Sequence, residues 1–204
     1  ALGAKADVIE SGEDGIFNIE VSGINFETSN IDTDGYLHLP CNESGSTLRF
    51  LLPICLLFGK SITLSGSTRL FERPLSVYED ICRQNGFKFT MTKNSVTVNG
   101  RLKAGKYTVR GDISSQFISG LLFSLPLLDG DSIIKITGKF ESASYVGLTL
   151  KALGDFGIRV TRMDANSFMV YGNQSYFGRE LAVEGDYSNS AFFESKKRNQ
   201  FSSS

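Results

Sequence analysis

Apolar and polar positions along the 204-residue chain fall into a repeating order. Three stretches, "ALGAKADVIESGEDGIFNIEVSG", "QNGFKFTMTKNSVTVNG" and "DFGIRVTRMDANSFMVYG", open on a glycine-terminated helix end and continue as two alternating runs. Alternation of period two predicts half-buried strands. The turns "SGEDG", "KN" and "DAN" would join each pair as a hairpin. Gly3, Gly86 and Gly157 stand at the helix ends, where glycine takes up left-handed backbone at little cost.

The pattern between the hairpins recurs too. After the first come a strand "YLHLP", an apolar helix "STLRFLLPICLLF", a strand "SITLSG" and an amphipathic helix "RPLSVYEDICRQNG". After the second come "KYTVRG", the apolar helix "SSQFISGLLFSLPLL", the strand "SIIKITG" and the amphipathic helix "SYVGLTLKALGDFG". The predicted fold class is α/β, with a repeated βαβαββ unit. Residues 1–23 read as the tail of a first unit, 24–100 as a second and 101–183 as a third, with 184–204 as a crossover start and a divergent polar tail. Together these make one incomplete domain, in which stacked units share a core. A helix apolar all round is expected inside and a striped one on the surface, so each unit is expected to bury its first helix and set its second outside. Pro53 and Pro126 fall within the apolar helices and should bend or end them.

A βαβ crossover sets each helix start beside the carboxyl end of the preceding strand. All four helix starts should therefore share one edge, with unpaired N–H groups and positive dipole ends facing outward from it. The first, "CNESGSTLRF", offers Gly45 for close backbone approach and the hydroxyls of Ser44, Ser46 and Thr47. The second, "STRLFERPLS", places Arg69 and Arg73 on a loop and Pro74 at a first helical position. The third is "GDISSQF", with Ser114, Ser115 and Gln116; the fourth is "GKFESASY", with Lys139, Ser142, Ser144 and Tyr145. Any one start alone is what helix capping requires. Three hydroxyl-rich starts and an arginine-bearing loop on one edge exceed that need and suit a phosphate or carboxylate.

Composition narrows the chemistry. A hydrophobic share of 41%, a charged share of 21% and a net charge of −1 describe a globular chain without the basic stripe of a nucleic-acid binder. No apolar run reaches the ~18 residues of a membrane span, and no secretory leader is visible. Cys41, Cys55 and Cys82 are odd in number and lack metal-ligand spacing, so no metal site is expected and a reducing, cytoplasmic setting fits. Cys55 reads as a core residue, and the lone His38 as structural.

At these residues the chain resembles the 3-phosphoshikimate 1-carboxyvinyltransferase (EPSP synthase) family. The elements "ESGSTLRFLLP", "LFERPLS", "GDISSQFISGLL", "ESASYVGLTLKAL" and "VEGDYSNSAFF" follow in family order and spacing over residues 1 to about 193. The resemblance implies an inside-out α/β barrel architecture, two such domains, and a substrate cleft between them. This chain would be most of the first domain, starting after the family's lysine- and serine-bearing motif. The implied activity is enolpyruvyl transfer from phosphoenolpyruvate to shikimate 3-phosphate, without a cofactor, in aromatic amino-acid biosynthesis. Ser114, Ser115 and Ser142 would hold the shikimate 3-phosphate group, Gln116 its ring hydroxyls, and Tyr145 would line the pocket. Arg73 would grip phosphoenolpyruvate, with Gly45 allowing it to sit against the backbone and Ser46 flanking it. Asn42 and Glu43 receive no role. Acid–base groups of the second domain would be needed for turnover, so this chain alone is expected to bind weakly and not turn over. The tail "ESKKRNQFSSS" resembles nothing in the family and reads as a solvated end.

Three other readings compete. A UDP-N-acetylglucosamine enolpyruvyl transferase shares the fold but usually carries a reactive loop cysteine, and "SSQF" favours the shikimate enzyme. A DNA-encircling repeat scaffold would line its inner helices with Lys and Arg, whereas these are apolar. The third is a chain that does nothing by itself.

Overall fold

The computed structural model describes residues 2–10, 17–24, 36–140 and 143–182. Strands β1 (Lys5–Glu10) and β2 (Phe17–Ser22) pair antiparallel as a separate ribbon. Then follow β3 (Tyr36–Asn42), α1 (Gly45–Cys55), β4 (Ser61–Gly66), α2 (Thr68–Phe71), α3 (Ser76–Gln84), β5 (Lys88–Met91) and β6 (Ser95–Asn99). Next are β7 (Lys106–Arg110), α4 (Ser115–Ser124), β8 (Ser132–Thr137), α5 (Ala143–Asp155), β9 (Val160–Asp164) and β10 (Ser167–Val170).

The two larger sheets repeat one topology, β3-β4-β6-β5 and β7-β8-β10-β9. In each, the first pair is parallel and the rest antiparallel. Parallel strands need a crossover, which α1 and α4 supply. Register sets Asn42 beside Gly66 and Arg110 beside Thr137, so both strand ends of each parallel pair reach the same edge. The inward faces carry Leu39, Ile62, Leu64, Val96 and Val98 in one sheet, and Val109, Ile134, Ile136, Phe168 and Val170 in the other. Alternation in the sequence is thus burial of one sheet face, and Gly86 and Gly157 have the positive φ expected after α3 and α5.

Helix α4 is enclosed: Phe117, Ile118, Leu121 and Leu122 are fully buried. At about 1.5–3 kcal/mol for each large side chain, this helix anchors the core. It packs closely on α1 at Gly120, where an added Cβ would sit 2.7 Å from the Arg49 carbonyl oxygen and 3.0 Å from Pro53 Cγ. The two prolines behave differently: Pro53 lies inside α1, whose bonding continues past it, whereas Pro126 falls just after α4. Helix α1 ends at Cys55, two residues past Pro53, and α4 gives way to a 3₁₀ turn at Leu125–Leu127 that contains Pro126.

Four details differ from expectation. The β1–β2 ribbon, read as half-buried strands, exposes Val8, Ile9, Ile19 and Val21 alike. Helix α1 is apolar nearly all round, yet only the stripe of Gly45, Leu48, Arg49, Leu52, Pro53 and Cys55 is buried; Phe50, Leu51 and Ile54 are half-buried. The segment read as a loop holds the single-turn helix α2, capped where Ser67 Oγ accepts from Leu70 N–H at 3.2 Å, and Arg69 lies on it. Helix α3 starts at Ser76 rather than Pro74. Pro74 restricts the residue before it, and the helical bonds begin only where the Leu75 carbonyl accepts from Tyr78 and Glu79.

Candidate functional site

The starts of α1 and α4 are each shaped by a capping serine. Ser44 caps α1, its Oγ accepting from Thr47 N–H at 3.1 Å. Ser114 caps α4, its Oγ accepting from Gln116 N–H at 3.2 Å. Capping therefore occupies one acceptor position of Ser114 while leaving its O–H free to donate to an anion. Ser115, the first residue of α4, is buried at the helix start.

The two starts are linked by side chains. Gln116 Nε2 donates to Ser46 Oγ at 2.7 Å, and Arg49 Nη1 donates to Gln116 Oε1 at 2.9 Å. The Gln116 carboxamide thereby has a defined orientation and bridges α4 to α1. Arg49 is 8% exposed, with its guanidinium carbon 5.3 Å from the Phe117 ring centroid. Its Nε–H is buried and has no partner among the described residues.

Arg73, between α2 and α3, completes this corner. A Cβ placed on Gly45 would lie 2.8 Å from Arg49 Nη1 and 3.0 Å from Arg73 Nη1. Two guanidinium groups thus converge on a residue without a side chain. Burial pushes the Arg49 guanidinium below its usual pKa, and the nearby Arg73 charge lowers it further. Like charges in a part-buried corner repel each other unless an anion lies between them. Close approach of the flanking loops is secured at Gly66, where a Cβ would come 2.5 Å from the Asn42 carbonyl oxygen, which also accepts from Ser67 N–H at 3.0 Å.

Of the predicted site residues, Gly45, Ser46, Arg73 and Gln116 meet directly or through Arg49, and Ser114 and Ser115 adjoin Gln116 on the same helix start. Tyr145 is exposed in the first turn of α5. One turn further on, Thr149 Oγ1 lies 2.7 Å from Ser119 Oγ, a contact between the bodies of α5 and α4. Ser142 lies outside the described residues, as does the "SGEDG" turn.

The residue that sequence reading passed over is Arg49. Its signal was present: it is the single charge within an otherwise apolar helix. His38 Nε2 shares a hydrogen bond with Ser65 Oγ at 2.7 Å between β3 and β4, a strand-pair contact. Cys41, Cys55 and Cys82 are buried free thiols. Burial pushes Cys41 and Cys82 up to about 11 and Cys55 up to about 12, so none resembles an activated nucleophile. Among the described residues no three His, Cys, Asp or Glu side chains gather as a metal site needs, and no helix is long and apolar enough to cross a membrane.

Known proteins place this rim in context. The family model described as EPSP synthase (3-phosphoshikimate 1-carboxyvinyltransferase) matches residues 5–195. A 3-phosphoshikimate 1-carboxyvinyltransferase from Brachyspira hyodysenteriae is 49% identical over 157 residues, covering 77% of this chain and 37% of the relative. One from Clostridium beijerinckii is 45% identical over 198 residues, covering 95% and 44%. The chain thus spans well under half the length of these curated relatives. An EPSP synthase structure from Acinetobacter baumannii superposes with a TM-score of 0.70 at 20% identity, over 94% of this chain and 41% of that one, a likeness of fold.

Proposed function

The chain belongs to the EPSP synthase family, and from that premise we propose that its rim of helix starts is one half of an enolpyruvyl-transfer site. Arg73 and Arg49 hold the anionic end of phosphoenolpyruvate against Gly45, with Ser46 beside it. Ser114, Ser115 and Ser142 hold the phosphate of shikimate 3-phosphate, Gln116 faces its ring hydroxyls, and Tyr145 lines the pocket. The observation that carries this reading is the convergence of two guanidinium groups on Gly45, tied through Gln116 to the hydroxyl-bearing start of α4.

The chemistry is an addition followed by an elimination. Phosphoenolpyruvate gains a proton at its methylene carbon, the acceptor hydroxyl attacks the cationic centre, and phosphate leaves. The groups on this chain would bind both anions and hold them in reacting geometry. The proton-transfer groups come from the larger part of the family's length that this chain does not span, supplied by a second domain. The 204-residue chain is therefore expected to bind shikimate 3-phosphate weakly, in a cytoplasmic setting, without releasing phosphate from phosphoenolpyruvate. The buried, alkaline-shifted thiols favour this acceptor over a nucleotide sugar, whose transferases usually carry an exposed reactive cysteine.

Amide resonances followed through a shikimate 3-phosphate titration test the proposal. Saturable shifts at Ser114 to Phe117 are expected; unmoved signals at millimolar ligand would refute it.

A further inference from the structure

Resting on the two-walled site proposed above, we infer that the Tyr78 hydroxyl is a positioning group: it replaces the backbone N–H that Pro53 lacks and so fixes how α1 sits on α4. Pro53 lies four residues after Arg49 within α1. In an unbroken helix the N–H at 53 would donate to the carbonyl of Arg49, and proline has none. That carbonyl is buried against α4, where an unpaired acceptor is unfavourable. The Tyr78 hydroxyl, reaching in from α3, donates to it at 2.6 Å.

The same hydroxyl reaches the second inner helix. Phe117 O of α4 lies 3.5 Å from Tyr78 Oη, and the two rings meet edge-on with centroids 4.8 Å apart and an interplanar angle of 69°. Gly120 closes the junction: a Cβ there would stand 2.5 Å from Tyr78 Oη, 2.7 Å from Arg49 O and 3.0 Å from Pro53 Cγ. Tyr78 is 1% exposed, and a phenylalanine would fill nearly the same volume. The hydroxyl is thus required by the proline, not by packing. Burial pushes its pKa well above the ordinary value, so it remains a donor.

The consequence reaches the rim through one residue. Arg49 offers its carbonyl to Tyr78 and its guanidinium to Gln116, which in turn holds Ser46. Where α1 rests on α4 therefore sets where the cationic wall stands relative to the hydroxyl wall. Tyr78 touches no expected substrate position; it acts through Arg49.

The test is a cycle of Tyr78→Phe and Pro53→Ala, singly and together, in the 204-residue chain. Side-chain amide resonances of Gln116, melting midpoints and shikimate 3-phosphate affinity are read for each variant. Tyr78→Phe is expected to move the Gln116 signals, lower the melting midpoint and weaken binding about tenfold, the equivalent of about 1.4 kcal/mol. Adding Pro53→Ala restores a backbone donor to Arg49 O and should return all three toward the wild-type values. Unmoved Gln116 signals in Tyr78→Phe, or no recovery in the double variant, overturn the inference. Should Tyr78→Phe not fold, recovery of folding in the double variant supports it and absence of recovery overturns it. Should the unmodified chain not bind shikimate 3-phosphate, the site reading fails, while the Gln116 signals and melting midpoints still decide the role of Tyr78.

Discussion

Helices α1 and α4 hold the same place in two copies of one unit, each crossing between parallel strands, yet they break different rules. Helix α4 carries no charge: Ser114 caps its start, Ser115 and Gln116 follow, and the hydroxyls within its body, Ser119 and Ser124, are buried and hydrogen-bonded to Thr149 and to the Gly120 carbonyl. Its proline comes after its end. Helix α1 buries a charge one turn in and carries a proline inside. Both irregularities have partners from elsewhere: Gln116 and the Phe117 ring for the Arg49 guanidinium, Tyr78 for its carbonyl. The two frames correspond, but the start of α1 adds the Arg49 guanidinium to its hydroxyls, whereas that of α4 offers hydroxyls and a carboxamide. A repeated fold can thus present a site whose two walls differ in chemistry while their backbones correspond.

The sharpest way to break the contrast is Arg49→Met. Loss of a desolvated cation should weaken phosphoenolpyruvate binding by roughly a hundredfold, about 3 kcal/mol, as measured by calorimetric titration. Because the change also removes the repulsion between Arg49 and Arg73, the melting midpoint should hold or rise.

Gly45→Ala comes next. The added methyl meets the flexible ends of Arg49 and Arg73, so the fold should persist while the guanidinium groups are displaced. About tenfold weaker phosphoenolpyruvate binding with an unchanged melt is expected; a large loss of stability would show instead that the glycine serves packing.

Alkali should separate the two units more gently. All three cysteines belong to β3, α1 and α3, and none to the unit containing α4. Their folded-state pKa values are raised from 9.0 to about 11 or 12, so the unfolded chain loses its thiol protons first. Their influence is absent below pH 9 and destabilising as pH rises toward 11 and 12. Tyr107 of β7, pushed up by burial from 10.0 to about 12, acts in the same direction in the unit of α4, but only above pH 10. Between pH 9 and 10, amide exchange, corrected for its intrinsic pH dependence, should therefore accelerate more in α1 than in α4.

The smallest effects compare the two caps. Ser44→Ala and Ser114→Ala should each cost about 1 kcal/mol of stability in a denaturant titration. Only Ser114→Ala should also weaken shikimate 3-phosphate binding; equal effects on affinity would mean that Ser114 acts as a cap alone.

Much of this frame was legible in the chain. Strand alternation marked the two four-stranded sheets because one face of each is buried, whereas the β1–β2 ribbon alternates with its described side chains exposed. Gly86 and Gly157 marked helix ends because few other residues accept their backbone angles. The meeting of the α1 and α4 starts followed from crossover geometry. Helix α2 was missed because a single capped turn has no periodicity to detect. Arg49 could have been found as a lone charge in an apolar helix. Tyr78 could not: its partner is a carbonyl left open by a proline 25 residues earlier, on a helix that only tertiary packing brings near. Arg73 was read as a ligand group through family resemblance, and its meeting with Arg49 at Gly45 needed coordinates.

The most direct test of the two-walled rim is a crystal structure of the chain with shikimate 3-phosphate and phosphoenolpyruvate. The shikimate phosphate should lie within hydrogen-bonding distance of the Ser114 and Ser115 hydroxyls, with the phosphoenolpyruvate carboxylate or phosphate between Arg49 and Arg73 at Gly45. Ligands bound on another face, or at two sites with Gln116 bridging neither, would contradict it.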